Sequence, residues 1–95
     1  MVVNNLLIRL KQRDPASVAQ AAAALQKLQG QIPVLLESRV ETDVKGSAAG
    51  YDIMLINTFP TAGDIQAYLE HPVHVEVAAY ITQVIDQSAS FCYEV

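Results

Sequence analysis

The residues of this chain equipped for chemistry are gathered in Tyr68-Leu69-Glu70-His71-Pro72-Val73-His74, which holds both of its histidines. A neutral imidazole can remove a proton α to a carbonyl, and a phenol beside it can hydrogen-bond the enolate that develops. His74 as base and Tyr68 as donor are therefore the candidate catalytic pair. Asn4, Asn57 and His71 are the candidate substrate-binding residues. Each also has a plainer structural reading. His74 reads as a buried neutral side chain bonded to a nearby carbonyl that locks the helix junction, and Tyr68 as a core aromatic with a wet hydroxyl. His71 reads as a helix cap, and the two asparagines as partners in strand-end hydrogen bonds.

A break between two helices must position these groups. Pro72 has a fixed φ and no N–H, so it suits the first position of a helix and not its interior. It also drives His71 out of the α region. The sequence predicts one helix over Ala62 to Glu70 and another from Pro72 to about Asp86. His71 caps the second, and His74 falls in its first turn. Unpaired N–H groups and the positive end of the macrodipole there disfavour a protonated ring. At about 100° per residue, His74 shares a face with Val77, Ala78, Ile81, Val84 and Ile85, and Tyr68 shares one with Ile65 and Leu69. Both polar groups are expected to point into apolar surroundings, close together.

The remaining elements follow from patterning. Val2 to Lys11 reads as a strand with alternating large apolar residues. Asp14-Pro15 starts a helix that runs through Leu28, with Gly30 as its stop. Pro33 to Val44 reads as an edge strand, apolar first and charged later. Lys45 to Gly50 is a loop of small residues, expected to be mobile. Tyr51 to Phe59 is a strand apolar on both faces, and Thr61 with Asp64 resembles a capping box. Ser88 to Val95 is the last strand. The order β-α-β-β-α-β, its second helix broken at Pro72, is an α+β, ferredoxin-like plan with a four-stranded antiparallel sheet. Helices cover one sheet face only. The other face is also apolar, and a second copy of the chain is its simplest cover, giving a homodimer with a barrel-like core.

Composition narrows the partners. The chain has 95 residues, 52% of them hydrophobic, and a net charge of −4 with six Lys and Arg. That is one domain, without the basic patch that nucleic acid requires. No apolar run is long enough for a membrane span, and no signal-peptide pattern is present. The single Cys92 forms no intrachain disulfide and suits a reducing cytoplasm. No zinc motif of recognisable spacing occurs. A weak site for a hard cation built on backbone carbonyls stays open.

The chain resembles the stress-responsive α/β-barrel (Dabb) family of dimeric α+β barrels along essentially its whole length. Asn4-Asn5-Leu6-Leu7-Ile8-Arg9-Leu10-Lys11 is similar to the family's first strand, which typically opens on histidine where this chain has Asn4. Gly50-Tyr51-Asp52 is similar to the opening of its third strand. Tyr68-x-x-His71-Pro72-x-His74 is the family's hallmark. The resemblance implies a cofactor-free protein. One branch cyclises linear polyketides by aldol chemistry, with the positions of Tyr68 and His74 as its catalytic pair. Haem-degrading members of the wider superfamily rely on a tryptophan, which this chain lacks. Two readings remain open. One is an enzyme or binding protein for a small hydrophobic carbonyl compound. The other is a non-catalytic dimer with a stress-response or structural role. A cavity of about 300–1,000 Å³ reached by both Tyr68 and His74 is what the first requires.

Overall fold

The computed structural model describes residues 1–95. Its elements are β1 (Val2–Leu10), α1 (Pro15–Gln26), β2 (Glu37–Thr42), β3 (Ile53–Phe59), α2 (Asp64–Glu70), α3 (Pro72–Val84) and β4 (Ile85–Glu94). The sheet order is β2-β3-β1-β4, and every pairing is antiparallel. The two most apolar strands are thus central, and the fold is the ferredoxin-like α+β one.

Alternation along β1 and β3 sorts the two faces. Val2, Ile8, Leu10, Ile53, Leu55, Asn57 and Phe59 are buried on the helix side. The core closes over them with Ala21, Ala22 and Leu25 from α1, Tyr68 from α2, and Val77 and Ile81 from α3. Register places Leu7 opposite Met54, and Asn5 opposite Ile56 and Phe91, on the face without helices. Phe91 is 69% exposed there and Tyr93 42%.

Local chemistry sets the boundaries. The Asp14 carboxylate accepts from the Ser17 N–H at 3.1 Å and caps α1, with Pro15 at its first position. The α1 helix stops at Gln26, and the following turn ends on Gly30, whose φ of 77° favours glycine. The Asp64 carboxylate reaches back to the Thr61 N–H (3.1 Å) and accepts from its hydroxyl (2.8 Å). Only the return arm of a capping box forms, so α2 begins at Asp64 rather than Ala62.

Three other expectations are corrected. Pro33–Leu36 is not strand: the Leu35 N–H bonds back to the Ile32 carbonyl in a turn that drops Leu35 into the core, while Leu36 is 51% exposed. The last helix ends at Val84 rather than about Asp86 and β4 starts at Ile85 rather than Ser88, because Ile85 closes the last helical turn through its N–H and is already extended (φ −81°, ψ 137°). The small-residue loop before β3 is pinned. Arg9 and Arg13 donate five hydrogen bonds to the carbonyls of Ser47, Ala48 and Gly50. Arg13 is itself held by the buried Asp52 carboxylate at 3.0 Å, which also accepts from the Leu10 N–H. Two cationic guanidiniums thus face these carbonyls, and no three His, Cys, Asp or Glu side chains converge on a metal position. No helix is long and apolar enough to cross a membrane.

Candidate functional site

The helix break forms where Pro72 dictates. His71 is extended (φ −66°, ψ 137°) and caps α3, its Nδ1 accepting from the Val73 N–H at 3.1 Å. That bond engages one ring nitrogen of His71 in holding the junction.

His74 lies in the first turn of α3, half-buried, with Nδ1 3.0 Å from the Leu69 carbonyl at the end of α2. A carbonyl can only accept, so Nδ1 carries the proton and Nε2 keeps its lone pair. Burial pushes the His74 pKa below the usual imidazole value, opposed by the Leu69 bond. The ring is therefore neutral near pH 7. The helix terminus favours the same direction, but loss of solvent is the leading cause. Within its helical face, Val77 and Ile81 are buried, whereas Leu69, expected beside Tyr68, is 44% exposed.

Tyr68 lies in the last turn of α2, across the break from His74, and is 5% exposed. Its ring packs edge-on to Phe59 at 5.1 Å and tilted against His74 at 4.5 Å between centroids. Its hydroxyl crosses to the sheet and accepts from Asn57 Nδ2 at 3.1 Å. Asn57 Oδ1 in turn accepts from Ser38 Oγ at 2.7 Å. Burial raises the Tyr68 pKa, and the Asn57 bond lowers it in part. The phenolic proton is used in no hydrogen bond within the protein, because the one bond at this oxygen is accepted.

Asn4 and Asn57 are direct partners across β1 and β3. Their side chains do not bond to each other: Asn57 is engaged by Tyr68 and Ser38, and Asn4 is half-buried beside it. Ser38 is the residue that the sequence did not single out. Its signal is only positional, since the alternation that buries Asn57 also turns its β2 partner Ser38 inward. The larger grooves lie elsewhere. One of about 440 Å³ runs over the helix-free face along Leu7, Met54, Ile56 and Phe91, and one of about 320 Å³ lies by Tyr51 and Glu41. None of the main cavities is lined by Tyr68 or His74.

The family model of the stress responsive A/B barrel domain matches residues 5–95. The chain belongs to the Dabb family. Among solved structures, a dimeric ferredoxin-like protein of unknown function from Thermobifida fusca superposes with a TM-score of 0.84 and 24% identity over 99% of this chain and 90% of that one. A dimeric protein of unknown function and ferredoxin-like fold from Bacteroides fragilis superposes with a TM-score of 0.83 and 21% identity, covering 99% and 95% of the two chains. The hydroxynitrile lyase of Passiflora edulis reaches a TM-score of 0.81 at 20% identity over 99% and 92%. At these identities the likeness is one of fold. Among curated proteins, no significant match to this Dabb chain occurs.

Proposed function

We propose that this Dabb protein is a homodimer, joined through its helix-free sheet face, that binds and converts a small hydrophobic carbonyl compound without a cofactor. His74 Nε2 removes a proton from the carbon α to the carbonyl, and the Tyr68 hydroxyl donates to the oxygen on which negative charge develops. The proton ends on Nε2 and the electron pair moves into the enolate. A cyclase, lyase or isomerase step of this kind needs no external oxidant. The observation that carries the reading is the hydrogen-bond polarity of the pair: Nδ1 is committed to Leu69, which frees Nε2 to accept, while Asn57 donates to Tyr68, which frees its proton to be given. A fold neighbour that is a hydroxynitrile lyase is consistent with such chemistry on this scaffold. The exposed free thiol of Cys92 fits a reducing compartment such as the cytoplasm.

One observation favours a second reading. No main cavity touches Tyr68 or His74, so their hydrogen bonds serve equally well as a lock between the helix junction and the sheet, in a dimer without catalysis. Thermal shift separates the two. Under the catalytic reading, one member of a panel of alkyl and aryl ketones raises the Tm of the wild type and fails to raise that of His74→Ala. Equal stabilisation of both proteins, with unchanged turnover, removes it.

A further inference from the structure

The candidate acid in this pair does not set its own direction. Tyr68 hangs from α2, but the orientation of its hydroxyl is decided on the sheet. There the inward-facing Ser38 of β2 lies opposite Asn57 of β3. Ser38 Oγ donates to Asn57 Oδ1 at 2.7 Å, and Asn57 Nδ2 donates to the Tyr68 oxygen at 3.1 Å. Asn57 is 2% exposed, so water does not readily replace either partner.

A side-chain amide has two faces of opposite character, one donating and one accepting. Whichever end Ser38 claims, the other is offered to Tyr68. With the Ser38 hydroxyl donating, Asn57 presents its N–H and the phenolic proton stays available. Were the amide turned over, Oδ1 would face Tyr68 and capture that proton. We propose that Ser38 is a positioning residue for Tyr68: through the Asn57 amide it keeps the phenolic proton free for a carbonyl ligand. The proposal rests on the acid–base reading of Tyr68 and His74, and extends the machinery to Ser38 of β2, which is linked to Tyr68 by hydrogen bonds through Asn57.

Removing the hydroxyl makes the prediction. In Ser38→Ala, Oδ1 loses its donor and the amide is no longer held in this orientation, so it is expected to turn and let Oδ1 accept from the Tyr68 hydroxyl. The phenolate then loses an N–H donor and the neutral phenol gains an acceptor, both of which raise the pKa. Titration of ¹³Cζ-labelled tyrosines by NMR reads this directly, with Tyr68→Phe assigning the resonance among the four tyrosines. The expected result is a Tyr68 pKa about one unit higher in Ser38→Ala, and a wild-type value in Ser38→Thr, which keeps the hydroxyl. An unchanged Tyr68 titration in Ser38→Ala overturns the proposal. Neutron diffraction from wild-type crystals reads the same orientation without a substitution: deuterium on Asn57 Nδ2 facing Tyr68 is expected, and deuterium on Tyr68 facing Asn57 Oδ1 refutes it. No substrate is needed for either experiment. A Tyr68 titration that moves, combined with turnover that survives in Tyr68→Phe, keeps the positioning role and removes the acid–base reading.

Discussion

At the scale of single residues, the site depends on protons being in particular places. The depressed His74 pKa has a consequence for stability. Between the usual imidazole value of about 6.5 and the lower folded value, the unfolded chain binds the proton and the folded one does not. Stability therefore falls as pH falls through that window, and levels off below the folded pKa. Urea denaturation between pH 5 and 8 should show this slope, and His74→Gln should flatten it. The raised Tyr68 pKa acts at the other end. Above about pH 10 the unfolded phenol ionises first, so stability falls as pH rises, and Tyr68→Phe should reduce that loss. At neutral pH the same substitution strands a buried Asn57 N–H. It should lower stability by about 1–3 kcal/mol, measured by the same denaturation. The closeness of Tyr68 and His74 was legible in the sequence, because Pro72 fixes where one helix ends and the next begins. The Ser38–Asn57 relay was not. Serine in a polar stretch of edge strand carries no mark of the partner that a register of side chains will bring opposite it.

At the scale of elements, the helix junction and the arginine-held loop are where packing is decided. His71 caps α3 through its ring, so His71→Ala should lower stability by about 0.5–2 kcal/mol, whereas His71→Asn, which keeps an acceptor, should recover most of it. The loop before β3 looked free in sequence, being made of small residues, and its anchors lie far away on β1 and in the turn after it. Arg13→Ala would leave the Asp52 carboxylate, still bonded to the Leu10 N–H, without its cation, release the Ser47 carbonyl, and leave those of Ala48 and Gly50 to Arg9 alone. We expect a loss of about 2–3 kcal/mol and faster amide exchange over residues 46–50. No change in either measurement would mean that the guanidinium is solvated ornament rather than an anchor. Strand limits were the least legible feature. Pro33–Leu36 has the composition of a strand, but a turn bond at Leu35 serves the core better than extending β2 would.

At the scale of the whole molecule, one sheet face is roofed by three helices and the other carries Leu7, Met54, Ile56, Phe91 and Tyr93 open to water. That imbalance was readable from the alternation of β1, β3 and β4 alone, since β1 and β3 put large apolar residues on both sides and β4 puts Phe91 and Tyr93 on the side without helices. Covering Phe91 alone is worth about 1.5–3 kcal/mol, and a two-fold partner would cover the same side chain twice. Phe91→Asp should convert a dimer to a monomer in sedimentation equilibrium at micromolar concentration. A wild type that sediments as a monomer would leave the sheet wetted and the homodimer without support. Whether His74 takes a proton from carbon separates an enzyme from a non-catalytic dimer. The direct measurement is deuterium uptake at the α-carbon of the ketone that gives the largest thermal shift, followed by ¹H NMR in D₂O with wild type, His74→Ala and Tyr68→Phe. The account predicts exchange well above the buffer rate with wild type, loss of about 10²-fold or more in His74→Ala, and a smaller loss in Tyr68→Phe. Exchange at the buffer rate in all three proteins, or equal exchange in all three, would contradict it.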